Sequence, residues 1–442
     1  MKSRYLAYLL LLLVAVSCEP KLDEFNPSAG SADFSRYVSV GNSLTSGLAD
    51  AELYKAGQIN SFPNLIATQF KLAGGGEFKQ PLMFDDLGFG QKRVLALVQP
   101  HDYCSGDPVP DVPPTLAPVP AGGTPDPRNF TSIAADGPFN NVGVPGAKSY
   151  HLLIPGYAAL NPYFGRFASS AASTILSEAK KVNPTFFTLW IGNNDVLGYA
   201  TSGGEGDVIT NANLFAGALN QIIDSLTSNG ANGAIANIPD VTSIPFFNTV
   251  PYNSLVLTLQ AHVDGLNYLY QVLLGATDVS FSLGQNAFVI ADASAPGGLR
   301  QLQAGEKILL SIPQDSLRCQ QSGWGTRKPI PGNYVLDHNE VSNILAATEG
   351  FNATIASLAA AKGLALVDMN AKYKTLLSGL VFDGMKFNTR YITGGAFSLD
   401  GVHLSPRGNA IVANFFIEAI NAKYNAQVPL VNVGDLPGIV FP

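Results

Sequence analysis

The sequence predicts an α/β fold, a mostly parallel sheet with helices on both faces, and three observations predict it. Short apolar runs recur along the chain, each closing on a polar or glycine-rich turn and giving way to a stretch with helical spacing, which is the rhythm of strand, turn and helix in such a sheet. There is no internal repeat, heptad or long charge run, which excludes solenoids and coiled coils. At 442 residues, 46% hydrophobic and only 13% charged, with 44 glycines and 29 prolines, the chain is a folded, loop-rich protein able to bury a large core.

The core strands are expected at Arg36–Val40, Phe139–Val142, Thr185–Ile191, Gly233–Ile238 and Gly363–Val367. Between them, Ser169–Val182, Asn211–Ser228 and Glu340–Lys362 carry Ala, Leu and Ile at helical spacing. A last helix is expected after Ser405-Pro406, since Ser is a good N-cap and Pro suits the first helical position. Two stretches break the rhythm. The first, about 71–136, holds the proline-rich run from Pro108 to Pro114, which cannot be a helix interior or a central strand and reads as a surface excursion. The second, about 240–337, opens on Ile244-Pro245-Phe246-Phe247, has a helical pattern near Ser254–Leu274, and is long enough to cap a site. The domain is thus expected over 34–424, with these two insertions and a C-terminal tail at 425–442.

The first eighteen residues read as an export signal: Lys2 and Arg4 make a positive start, and the apolar run Leu6–Val16 is short for a bilayer span. The run ends in Ala15-Val16-Ser17-Cys18, which resembles the bacterial lipobox, in which the cysteine becomes the lipidated N-terminus; a polar tether at 19–33 follows, and its acidic start, Glu19 to Glu24, is similar to that of surface lipoproteins of the Bacteroidetes. That resemblance implies an exported chain held to the cell envelope, and so to a membrane, by a lipid on Cys18. Loss of the segment takes the net charge from −7 to −9, because two positive charges leave with it, and a phosphate-backbone partner needs clustered cations; nucleic acid is excluded. Cys104 and Cys319 remain, one in each insertion, where a bridge would staple the two together; two separate thiols are the other reading.

Four segments hold residues that can do chemistry, three at the end of an expected strand and one on a turn before the last expected helix. Val38-Ser39-Val40-Gly41-Asn42-Ser43 is a strand that stops at a glycine turn and presents a serine, the placement a nucleophile needs. Asp400-Gly401-Val402-His403 offers an imidazole to take a proton from a hydroxyl and a carboxylate to hold that imidazole's tautomer. Asn194, in Gly192-Asn193-Asn194-Asp195, could donate to an oxyanion, and Gly146 could bring a backbone N–H close to a substrate. Taken singly, each has a bland reading as a turn or cap. The remaining histidines, His101, His151, His262 and His338, have no metal-ligand spacing, and Asp337-His338 reads as a helix cap, so neither metal nor cofactor is expected.

Taken in order, Gly41-Asn42-Ser43-Leu44, Gly146, Gly192-Asn193-Asn194-Asp195 and Asp400-Gly401-Val402-His403 resemble the four blocks of the SGNH hydrolases, also called GDSL esterases and lipases, over roughly 34–424. The resemblance implies a three-layer α/β/α, flavodoxin-like fold and serine-dependent hydrolysis of carboxylic esters. It implies Ser43 as nucleophile, His403 as base and acid, Asp400 as its orienting group, and an oxyanion hole of the Ser43 and Gly146 N–H groups with the Asn194 side chain. Asn42 departs from the family pattern, which has aspartate there. The blocks do not distinguish substrates: a lipid-like or other small-molecule ester leads, removal of acetyl groups from polysaccharide comes next, and a non-catalytic glycan- or lipid-binding lipoprotein is the alternative of another kind.

Overall fold

The computed structural model describes residues 25–319 and 323–442; the expected export segment, Cys18 and the start of the tether lie outside the described residues. Five strands form the central sheet: β1 Tyr37–Gly41, β2 Asn141–Gly143, β3 Phe186–Trp190, β4 Asn232–Ala236 and β5 Ala365–Val367. They run parallel in the order β2-β1-β3-β4-β5, the doubly wound flavodoxin-like order, in which the chain reverses direction across the sheet between β1 and β3. In sheets of this kind ligands bind at the carboxyl ends of the strands beside that reversal. Each strand lies within two residues of the apolar run that predicts it.

Alternation along β3 builds the layers. Phe186 and Trp190 face one side, where Phe186 meets Phe70 and Tyr424 edge-on at 5.5 and 5.6 Å and Trp190 meets Phe62 at 5.6 Å. Helices α1 (Ser43–Ser46) and α2 (Phe62–Leu72) precede β2, α3 (Ile175–Lys181) precedes β3, and α4 (Asn194–Thr201) and α5 (Ala212–Thr227) follow β3. The later helices are α6 (His338–Ala361), α7 (Met369–Ser378) and α8 (Pro406–Tyr424). The two outer layers are each locked by a stacked aromatic pair, Phe62 of α2 on Phe416 of α8 at 5.1 Å and Phe215 of α5 on Phe351 of α6 at 4.1 Å.

Local chemistry sets the helix starts. Ser405 caps α8 by accepting from Gly408 N–H, with Pro406 at the first position. Asp337 and Glu340 form a reciprocal capping box on α6, so this aspartate is a structural cap. The helix expected from Ser169 begins only at Ile175: Thr174 caps it, and the hydroxyl of Ser169 turns instead to the Glu178 carboxylate at 2.6 Å.

Among the described residues both insertions form structure of their own. The first carries an antiparallel hairpin, Arg93–Val98 with Thr115–Pro120, whose connection contains the exposed proline-rich run. The second has a hydrophobic core of its own around Leu255, Tyr270, Val289, Ile308 and Ile330. Its helical pattern near 254–274 needs correcting: Leu255–Leu257 is a strand paired with Gly284–Asn286, and the helix starts at Gln260. The buried-exposed-buried order of Leu255, Val256 and Leu257 is the two-residue period of a strand, too short to stand out beside the apolar residues that follow. Cys104 and Cys319 form a disulfide, and His101 with Asp315 at 2.8 Å and Arg318 with the Tyr103 hydroxyl at 2.6 Å reinforce the same junction between the insertions. Past α8 the chain doubles back: Asn414 both donates to and accepts from the Val431 backbone, and Val428, Val431 and Val433 are buried.

Candidate active site

Ser43 lies at the first turn after β1, where the backbone has no room for a side chain on Gly41. A Cβ there would stand 2.1 Å from Thr45 Oγ1 and 2.4 Å from the Trp190 carbonyl. The Asn42 side chain then accepts from Leu44 N–H at 3.1 Å and donates to Asn193 Oδ1 at 3.4 Å, tying the serine turn to the loop after β3. An aspartate at this position would keep the first bond and lose the donor of the second. The asparagine thus keeps the cap of the serine turn and adds a tie to the loop after β3.

His403 reaches Ser43 from the other end of the sequence. Its Nε2 is 2.9 Å from Ser43 Oγ, and its Nδ1 is 2.8 Å from Asp400 Oδ2. A neutral imidazole protonated on Nδ1 donates to the carboxylate and accepts from the hydroxyl, which is the arrangement that activates a serine. Asp400 is partly buried, and its two oxygens are saturated: Oδ1 accepts from the N–H groups of Val402 and His403 and from the Ser398 hydroxyl, and Oδ2 accepts from the Ala51 N–H as well as from His403. Burial alone would raise this carboxyl. The His403 charge and these hydrogen bonds prevail and hold it well below the usual carboxylate range.

Two supports for the acid are absent from the sequence reading. Asp50 and Ala51 both sit in the left-handed region, with φ of 54° and 69°, and that turn aims the Ala51 N–H at Asp400. The Asp50 carboxylate accepts from the Leu399 N–H and the Tyr54 hydroxyl, and burial pushes its pKa up. Nothing local in Leu48-Ala49-Asp50-Ala51 marks it, because its partners lie about 350 residues away.

The loops after β2 and β3 are pinned to each other. Asn194 Nδ2 donates to the Ala147 carbonyl at 2.9 Å, leaving its second N–H free to point elsewhere, and Asp195 accepts from both the backbone and the hydroxyl of Ser149. Gly146 takes a φ of 77°, a backbone conformation that favours glycine, and no protein atom crowds the position, since a Cβ there would meet nothing within 4 Å. The cavity beside Ser43 is lined by Asn42, Asn193, Asn194 and His403, by Lys372 and Tyr373 of α7, and for the rest by apolar side chains, among them Val241, Ile244, Met369, Ile411 and Phe415. The second insertion also meets the acid-histidine turn directly, through Phe246 N–H to the Gly401 carbonyl at 2.9 Å.

A serine, an imidazole and a partly buried carboxylate linked in this order, at the carboxyl edge of a parallel sheet, make the arrangement of a serine hydrolase. Residues 129–416 match the model of the GDSL-like lipase/acylhydrolase family, and with well over half of the chain matched, the protein belongs to that family and is a hydrolase acting on esters. The matched stretch takes in Gly146, Asn194, Asp400 and His403 and begins after Ser43, which the fold brings to them. No curated protein matches the chain.

Proposed function

We propose that the chain cleaves carboxylic esters of lipid-like acyl groups through an acyl-enzyme on Ser43. The observation that carries this reading is the continuous relay from Asp400 through His403 to Ser43, opening on an apolar cavity. Ser43 Oγ attacks the ester carbonyl as its proton passes to His403 Nε2. The Ser43 and Gly146 N–H groups and the free amide hydrogen of Asn194 hold the oxyanion. The intermediate collapses with the alcohol taking the proton from His403, and water, deprotonated by His403, then releases the acid and restores the serine. Asp400 stays ionised throughout, since its hydrogen bonds favour the carboxylate.

The export signal and Cys18 support a chain anchored by lipid to the cell envelope, in the outer membrane, where acylated substrates are at hand. Hydrolysis of p-nitrophenyl esters from acetate to palmitate, by the soluble chain from residue 19 and by its Ser43→Ala variant, tests the reading. Activity that rises beyond acetate and vanishes with Ser43 supports it. An optimum at acetate moves the assignment to deacetylation of polysaccharide, and inertness of both proteins, with Ser43 resisting a fluorophosphonate, leaves a binding lipoprotein.

A further inference from the structure

One side chain that lines the cavity beside Ser43 carries a polar group with no hydrogen-bond partner among the described residues. Tyr373, on α7, lines the cavity, and its ring stands edge-on to Phe397, another wall residue, at 6.1 Å. Its hydroxyl is buried, and among the described residues it has no hydrogen-bond partner. Among the described residues the hydroxyls of the buried tyrosines all have partners: Tyr37 pairs with Thr188, Tyr54 with Asp50, Tyr157 with Asn161, Tyr270 with the Thr326 carbonyl and Tyr424 with the Gly233 carbonyl. Lys372, the neighbouring cation on the wall, is committed elsewhere, to Glu418 at 2.8 Å and to the Phe415 ring. Burial pushes the Tyr373 pKa well up, assisted by Asp240, so the hydroxyl is a neutral donor at any physiological pH.

A plain alkyl chain in the cavity leaves this buried hydroxyl unmet, as it is in the free protein, whereas an oxygen on the chain that reaches it gains a hydrogen bond. Sites built around a buried hydrogen-bonding group reject analogues that lack its partner more strongly than apolar pockets reject an added hydroxyl. We infer that Tyr373 is a specificity-determining residue that selects acyl groups carrying a hydroxyl or oxo oxygen along the chain. This rests on the assignment of the cavity to the acyl group of the ester cleaved at Ser43.

The test is a set of p-nitrophenyl esters of one medium chain length, plain or with a hydroxyl or oxo group moved stepwise along the chain, given to the wild type and to Tyr373→Phe. At one position the oxygenated ester is expected to exceed the plain one in kcat/KM by about tenfold, the ratio that one neutral hydrogen bond supplies, and Tyr373→Phe is expected to bring that ratio to about one or below. An equal ratio at every position, or an advantage that survives Tyr373→Phe, overturns the inference. Calorimetric binding of the corresponding methyl esters to Ser43→Ala, with and without Tyr373→Phe, gives the same ratio without turnover. If the wild type cleaves none of the esters and Ser43 resists a fluorophosphonate, it is the nucleophile assignment that falls, and the binding ratio still decides the role of Tyr373.

Discussion

The Ala51 N–H and the His403 imidazole converge on one oxygen, Asp400 Oδ2, at 3.0 and 2.8 Å. The acid is thereby fixed from two sides by segments some 350 residues apart, and the left-handed backbone at Ala51 is what puts its N–H there. The strain belongs to the positioning of the acid.

Asp400→Asn is expected to lower kcat by up to about 10⁴-fold, because an amide facing His403 either donates where an acceptor is needed or selects the wrong tautomer. It also removes charge from an oxygen pair that accepts five hydrogen bonds. Since the folded pKa is depressed from 3.8, the stability this carboxylate contributes is whole above that pH and is lost as the pH falls through the lower folded value. Thermal melts between pH 3 and 8 should therefore show the full gap between wild type and variant at neutral pH, with the gap beginning to narrow only below pH 3.8.

The serine turn yields a graded pair. Asn42→Asp keeps the cap on Leu44 and loses the bond to Asn193, so kcat/KM should fall by no more than about tenfold with stability nearly unchanged. Asn42→Ala loses both bonds and should cost a further ~1 kcal/mol of stability. Equal effects of the two substitutions in paired melts and steady-state assays would mean that the cap at Leu44 contributes nothing.

How much of this was legible beforehand depended on how local each signal is. The five core strands, the caps at Asp337 and Ser405, and the spacing of Asp400 and His403 all follow from residues within a few positions of one another, and the structure places them together as the sequence suggests. The start of α3 and the strand at Leu255 are not legible in the sequence, because a hydroxyl-carboxylate contact and a two-residue period only three residues long compete with a broader helical composition. Asp50, Ala51 and Tyr373 carried no signal at all. Their roles exist only once the sheet has brought distant segments to one edge.

Glu340, at the third position of α6, has its pKa raised to about 7, first by burial and then by Asp337, Glu205 and Glu306. A raised carboxyl pKa means that its stability contribution is full below the ordinary value of 4.5 and is lost as the pH climbs through about 7. Glu340→Gln keeps an acceptor for the Asp337 N–H without that loss. The variant should match the wild type in melts near pH 5 and exceed it by about 1 kcal/mol at pH 8, a figure reduced for the side chain's partial exposure. A gain of the same size at pH 5 would show that charge on Glu340 is not the cause.

The disulfide makes the sharpest separation between stability and catalysis. Cys104 and Cys319 are 215 residues apart and join the two insertions, whereas Ser43, Asp400 and His403 stand on the sheet that carries the main core. Cross-linking so long a loop restricts the unfolded chain, so Cys104→Ser with Cys319→Ser should cost roughly 2–4 kcal/mol. The site keeps its own connection to the second insertion, from Phe246 to Gly401, and this bond does not pass through the bridge. Hydrolysis of short esters should accordingly stay within about twofold of the wild type, as expected for a change remote from the reacting groups. Melting curves and kcat/KM measured with and without reductant check both halves at once. A collapse of activity with an unchanged melting temperature would mean that the hairpin and second insertion, held by this bridge, govern entry to the cavity.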